Sequence, residues 1–481
     1  MDALQTEQYG PRRLTAAVIG GAIGLVLAVI FDQLLKYGYI YALIALGLTI
    51  LLLIAMDSYR IWILLVVASN LSTFRHMVAG FNIRPDHVVF LALLIIWTLS
   101  FLAGRARLRK VPMLTPLLLL LAVNFSSSLL FSPIRRASLQ GAGVLTFYAL
   151  MYILTVIVLR ERPEILKKAV YILLAIAAIQ AVVALVGLAL DYGGLKIGLV
   201  TSPVSADSTA VRAQGGFQEA DILGAFAGAM ALVALSMMLV PKDVFSRKNL
   251  LYGCFGLLIL ALVLSYTRAA WVGTLAGGIL LFIIKKPHIQ FLKVKSVTTT
   301  LALISLGLIL IFIIGSNFAP GLGSSITSRA GDILNFSGGS GQGRVQVQQV
   351  ALDRWRAAPI LGHGTLSMPK DAVWPSPAGA WLYSSLIQTL YDTGVAGAIF
   401  YIWFEIGVIV VIIKGYSVAK NPKIKSMLAG FAAAMVVLII SSQASSFLWL
   451  SFPWIFMGLA VAIATNEIHK HMQEIGEDAG G

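Results

Sequence analysis

Fourteen apolar runs divide this chain, at residues 14–34, 38–56, 60–74, 87–104, 112–132, 141–159, 168–190, 219–240, 250–267, 269–285, 298–315, 386–413, 426–445 and 446–464. A helix needs about 20 apolar residues to cross the hydrocarbon core of a bilayer. Inside that core only a helix or a closed barrel satisfies every backbone N–H and C=O. The runs are continuously apolar and do not alternate, so the expected fold is all-α: a polytopic transmembrane helical bundle. The third run is short, and the pairs 250–267/269–285 and 426–445/446–464 are tightly joined, which sets the expectation at twelve to fourteen helices. The first run exceeds the apolar core of a signal peptide and no small-residue cleavage site follows it, so it is expected to be a span. Composition agrees, with 58% hydrophobic and 12% charged residues against about half and about a quarter in soluble domains.

The net charge of +15 would suggest nucleic acid in a soluble chain. Here the basic residues fall in short clusters between apolar runs: Arg105 to Lys110, Arg160 to Lys168, Pro241 to Lys248, Lys285 to Lys295 and Lys414 to Lys425. Threading the runs alternately puts all five clusters on one face, with 23 of the 36 Lys and Arg there. That face is the cytoplasm by the positive-inside rule. Both termini are therefore expected in the cytoplasm, the partner is the lipid bilayer, and nucleic acid is excluded. Cys254, the single cysteine, lies inside an apolar run and has no partner in the chain for a disulfide.

The same threading leaves two long hydrophilic loops outside, 191–218 and a large extracytoplasmic loop at 316–385 with short helices of its own. The expected divisions are 1–190 (first membrane helices), 191–315 (central helices with the first outer loop), 316–385, 386–465 (last helices) and 466–481 (cytoplasmic tail). In the large loop, "SGGSGQG" (Ser337 to Gly343) reads as flexible. Arg344 to Ala358 follows as an amphipathic helix, with Val347, Val350, Ala351 and Trp355 on one face. Arg212, Arg268 and Arg344 offer cations at the outer level from three stretches far apart in sequence, against the usual charge bias. An anionic ligand at the outer leaflet would account for them, and so would phospholipid headgroups around a surface helix. Glu219 and Asp221 open the run 219–240, where carboxylates also favour a helix N-terminus.

Three stretches carry a resemblance: "SYTRAAWVG" at the outer start of a membrane helix, "VRAQGGFQEADILGA" (Val211 to Ala225), and "RWRAAPILGHG" followed by "LIQTLYDTGVAGAIFYI". In kind, order and spacing they resemble the O-antigen ligase and O-antigen polymerase superfamily of bacterial envelope enzymes, over roughly residues 205 to 415. The resemblance implies an integral glycosyltransferase of the bacterial cytoplasmic membrane. It would polymerise or transfer saccharide during assembly of O-antigen, capsule or exopolysaccharide. The donor would be a glycan on undecaprenyl pyrophosphate, the acceptor a saccharide or glycolipid, and neither metal nor nucleotide cofactor would be required. By position, Arg212 and Arg268 fall on the family's arginines and would hold the pyrophosphate, with Arg344 beside them. Arg suits this task through its permanent charge and planar fork.

One position departs. Where the family places a His-Asn pair at the start of the helix after the large loop, this chain has Tyr383 and Ser384. A tyrosine with a pKa of about 10 is a poor base at neutral pH. His363 in "LGHG", Glu219 and Asp221 are the alternatives for the catalytic base; early ionisation at the donor carbon, or a non-catalytic glycan-lipid binder, are two further readings. His76 and His87 flank "IRPD" and read as interfacial residues. No paired His, Cys and carboxylate spacing suggests a metal, and no Gly-Lys phosphate loop suggests ATP. The small residues of "GAFAGAMA" and "GTLAGG" suit close helix packing. A transporter or flippase is the alternative class; it would show charges at midspan and internal repeats, whereas the middles of the runs are nearly free of charge and no repeat is evident.

Overall fold

The computed structural model describes residues 57–74, 76–78, 81–201, 211–240, 244, 248–289, 339–368 and 382–478. The runs 14–34, 38–56 and 298–315 lie outside them. Twelve α-helices occur among the described residues: α1 (Ser58–Ser69), α2 (Pro85–Leu102), α3 (Leu114–Leu130), α4 (Arg135–Glu161), α5 (Leu166–Tyr192), α6 (Ala220–Met238), α7 (Lys248–Leu264), α8 (Arg268–Ile289), α9 (Gly339–Trp355), α10 (Ser385–Val418), α11 (Pro422–Ser441) and α12 (Ser451–Asp478). Eight segments among the described residues are long and apolar enough to span a membrane, and α1, α3 and α7 are shorter apolar helices. Among the described residues strand is confined to two small ribbons, β1 (His76–Val78) with β2 (Phe81–Ile83), and β3 (Val200–Thr201) with β4 (Arg212–Ala213). The chain is a polytopic helical bundle, as the apolar runs require.

Local chemistry sets the helix starts. Asn421 accepts from the Lys423 N–H at 3.0 Å with Pro422 in the first position of α11, and the Ser384 hydroxyl accepts from the Ile387 N–H at 3.2 Å to cap α10. Both are side chains that satisfy donors a helix start leaves open. Short connections reverse the chain from helix to helix, so the starts of α6, α8, α10 and α12 share one end of the bundle. The connections after α4 and α10 share the other.

α6 lies at the centre, and its whole span is buried. Its glycines explain how: a Cβ on Gly224 would stand 2.5 Å from the Ser265 hydroxyl, and Gly228 abuts Thr274 of α8. The small-residue stretches are thus packing surfaces, which let α6, α8 and α11 approach closely.

Two features differ from the sequence expectation. The glycine-rich stretch begins α9 at Gly339, and the helix ends at Trp355. Glycine in a helix costs about 0.5–1 kcal/mol per residue, and the anchoring of Arg344 described below offsets it. The last helix continues to Asp478, so most of the expected tail 466–481 is helical; a 3-10 turn, Phe447–Trp449, separates it from α11.

α10 is broken at Gly394 (φ 65, ψ −166), a backbone conformation open in practice only to glycine. The loop after α9 supplies what the break removes. The Val395 N–H donates to the Pro359 carbonyl at 2.9 Å and the Ala396 N–H to Ile360 at 3.2 Å, while the His363 and Gly364 N–H groups donate to the Tyr391 and Asp392 carbonyls at 3.0 and 2.9 Å. Gly362 (φ 68) has no room for a side chain, because a Cβ would stand 2.5 Å from the Thr393 nitrogen. Thr365 is fully buried and donates to Asn124 Oδ1 of α3 at 2.9 Å. Irregular backbone inside a membrane bundle has to be satisfied by protein in this way.

If alternate threading holds, reporter fusions at Gly338 and Lys420 should read opposite sides of the membrane. Readings on the same side would overturn the orientation.

Candidate functional site

Three stretches separated in sequence meet at the start of α6. The first is the loop 211–219. Gly215 adopts φ 63, and at Gly216 a Cβ would stand 2.5 Å from the Asn70 carbonyl. The loop is pinned from beneath by Gln180 of α5, whose amide donates to that carbonyl at 2.6 Å and accepts from the Gly216 N–H at 3.1 Å. On this platform β4 presents Arg212, and the loop leads into α6 with Asp221 in its first turn.

The second stretch is the turn between α7 and α8. Arg212 donates from Nε to the Ser265 carbonyl at 2.9 Å and from Nη2 to the Thr267 hydroxyl at 3.1 Å. Its Nη2 also pairs with Asp221 Oδ1. The Thr267 hydroxyl lies 3.2 Å from both Asp221 Oδ1 and the Ala220 carbonyl. Tyr266 is held at φ 53, the left-handed region that non-glycine residues adopt at a cost and that recurs at functional sites. Arg268 follows Thr267 directly, is half-buried, and opens α8.

The third is α9. Arg344 donates from Nη2 to Asp221 Oδ2 at 2.6 Å and from Nη1 to the Ala444 carbonyl at 2.8 Å. Its guanidinium stands 5.1 Å from the centre of the Tyr383 ring, a cation–π distance. Burial alone would lower the pKa of Arg344, but the Asp221 carboxylate, with further negative charge from Glu219, raises it; the group is a fixed cation. Tyr383 is held at φ 56, and its ring faces the Arg344 guanidinium.

Behind Arg344, the apolar face of α9 packs as expected. Val347 and Ala351 form a separate buried cluster with Met368, Leu382 and Tyr391, and Val350 and Trp355 lie against it. The helix therefore lies over the start of α10 with its N-terminal end bound to α6.

The structure thus joins Arg212, Arg344 and Asp221 directly. Glu219 is the residue preceding α6, with no capping hydrogen bond from its side chain, and is close enough to Arg344 to act on its charge. His363 lies apart: its Nε2 bonds the Arg354 carbonyl at 2.9 Å and its ring stacks on Tyr391 at 4.9 Å. Arg354 is ten residues along α9 from Arg344, or about 15 Å at the helical rise. His363 marks the far end of α9 from the Asp221 node. Among the described residues no cluster of His, Cys, Asp and Glu could hold a metal.

Sequence reasoning did not single out Ser265 and Thr267 as partners of Arg212, nor the segment 442–450. That segment accepts from Arg344 at Ala444 and from the Ser385 N–H at Ser442, at 2.8 Å. The run "SSQASS" (Ser441 to Ser446) across the junction of the last two apolar stretches was its signal: hydroxyl-rich chain where a helix would otherwise continue.

Comparison with known proteins adds one positive finding. Residues 253–402 match the family described as O-antigen ligase, a stretch that contains Ser265, Thr267, Arg268, Arg344, His363 and the break at Gly394. Arg212 and Asp221 lie before it and are bonded to it. No curated protein matches the chain.

Proposed function

With residues 253–402 supporting membership of the O-antigen ligase family, we propose that the chain transfers saccharide from a polyprenyl-pyrophosphate donor to a saccharide or glycolipid acceptor, at the outer face of the bacterial cytoplasmic membrane. The observation that carries this reading is the convergence of arginines from two distant stretches on one carboxylate, with a third arginine next in the chain. Arg212 and Arg344 leave Nη1 and Nε, respectively, without an acceptor among the described residues. Those donors suit the leaving pyrophosphate.

In the proposed reaction the acceptor oxygen attacks the anomeric carbon, the bond from that carbon to the phosphate oxygen breaks, and Arg212, Arg268 and Arg344 stabilise the charge that develops on the leaving oxygen. Preorganised donors act most strongly on charge that appears only in the transition state. Asp221 cannot be the base in this arrangement, because both of its oxygens already receive donors. Its role is to hold two like charges together. Glu219, adjacent to the node, is the carboxylate placed to take the acceptor proton. Tyr383 supports Arg344 and does not replace the family's His. The alternative class, a transporter, draws some support from Glu405 in the middle of the α10 span, but the three-segment arginine node favours the transferase.

Purified protein given a polyprenyl-pyrophosphate glycan and acceptor should form the glycosidic product with release of the lipid pyrophosphate, at the same rate with and without a chelator of divalent metals. Loss of transfer on chelation, with recovery on adding metal, would overturn the metal-independent reading.

A further inference from the structure

Inside the membrane span of α10, one turn beyond Tyr401, stands Glu405. It lies past the family-matched stretch 253–402, and the proposed transfer step does not use it. Its Oε2 is buried and meets no hydrogen-bond partner among the described residues. Among those residues its polar contact is Tyr401, and no Lys, Arg or His pairs with it. Tyr401 and Glu405 line a cavity of about 20 Å³ between α10, α11 and α12, together with Ser385 and Ser442. One water needs about 10–15 Å³ and two to four polar partners, and the cavity offers both. An ionised carboxylate would need a cation or several donors in such a place.

Tyr401 joins this acid to the candidate site. On an unbroken helix Ser385 and Tyr401 would stand about 24 Å apart. The break at Gly394 turns the two halves of α10 toward each other, so that the Tyr401 hydroxyl reaches both Ser385 and Ser442. Ser385 in turn holds the segment after α11. Its N–H donates to the Ser442 carbonyl at 2.8 Å, and its hydroxyl accepts from the Phe447 N–H at 3.1 Å. Between those two anchors lies Ala444, whose carbonyl accepts from Arg344 at 2.8 Å.

We propose that Glu405 is a positioning residue: a neutral carboxylic acid whose Oε1 accepts from Tyr401 and whose Oε2–H donates to one water in the cavity, a set that fixes segment 442–447 from beneath and so aims Arg344. The mid-span acid then has a task in which no ion moves. The effect on transfer rests on the transferase reading; the protonation state and the anchoring of α9 do not.

The tests use the purified full-length protein. In the infrared difference spectrum between the parent and Glu405→Gln, the parent should carry a carboxylic-acid carbonyl band at neutral pH that shifts on exchange into D2O. Carboxylate bands in its place would make Glu405 an ion, held by a cation or carrying one, and overturn the inference. In transfer assays Glu405→Gln should keep the parent's rate, since the amide offers the same oxygen and an N–H in place of the O–H. Glu405→Leu and Tyr401→Phe should lower kcat by up to about 100-fold, the effect of a misplacement of about 1 Å, with the donor KM little changed. Both should also speed proteolysis at the N-terminal end of α9, a readout that needs no transfer. A residue that only stabilised the fold would lower the thermal midpoint and leave kcat of the folded protein unchanged. That result, or a Glu405→Gln variant as slow as Glu405→Leu, would overturn the inference. Tyr401→Phe decides if Glu405→Leu does not fold. A parent that transfers nothing would sink the transferase reading alone, and the infrared band and the proteolysis would then decide this one.

Discussion

Asp221→Ala should destabilise the protein by about 3 kcal/mol and release the N-terminal end of α9, read as a lower thermal midpoint in detergent and faster proteolysis at the α9 end of the large loop. Removing one member of a buried ion pair typically costs about 3–5 kcal/mol, because the charge left behind is unpaired. Here two cations are left. The lower end of that range applies because the Arg344 side chain is 28% exposed and solvent takes up part of its charge. Asp221→Asn separates charge from shape. It keeps an oxygen for one arginine and turns an amide N–H toward the other, so it should fall between the parent and the alanine variant. If Asp221→Ala left both midpoint and proteolysis unchanged, the carboxylate would not be what holds Arg212 and Arg344 together.

The bundle was legible in the sequence because a bilayer leaves the backbone few choices: every described apolar run became a helix. The described parts of the basic clusters fall at one end of it. The site was legible in its parts but not in its pairing. Three arginines at one level imply an anion; within the chain Asp221 serves two of them, Arg212 and Arg344, and apolar periodicity could not distinguish it from a residue favoured at a helix start. The role of "PILGHG" was hidden for another reason. Glycines placed just past a helix would ordinarily serve to end it, whereas these serve a break about 30 residues away: Gly362 makes room for Thr393, and the loop supplies the hydrogen bonds that Gly394 removes from α10. Nothing in a run such as "LYDTGVAGAIF" announces that its helix is interrupted, since isolated glycines in an apolar helix are tolerated at about 1 kcal/mol each. His363 shows the same limit. Flanking glycines would leave a base open to approach, but here they allow the close backbone contacts that fix His363 against Tyr391.

Arg268→Lys should leave the protein folded and lower transfer about 100- to 1000-fold, the loss of 2.7–4 kcal/mol that follows removal of one preorganised donor from developing charge. Lysine keeps the cation but loses the planar fork that bridges two phosphate oxygens. Arg212→Lys should lower transfer as well, with a stability loss beside it, because one ammonium cannot replace the guanidinium contacts to Ser265, Thr267 and Asp221. The pair of variants therefore separates binding from scaffolding: the same rate loss with a different thermal midpoint assigns Arg268 to the substrate and Arg212 to both tasks. Glu219→Gln completes the set. As the proposed base it should lower the single-turnover rate while leaving donor binding intact, and as a purely electrostatic neighbour of Arg344 it should leave that rate within a few-fold of the parent. Full transfer in both Arg268→Ala and Arg212→Ala would remove the proposed site, since no arrangement of the remaining cation, Arg344, could then carry the pyrophosphate alone while still paired with Asp221.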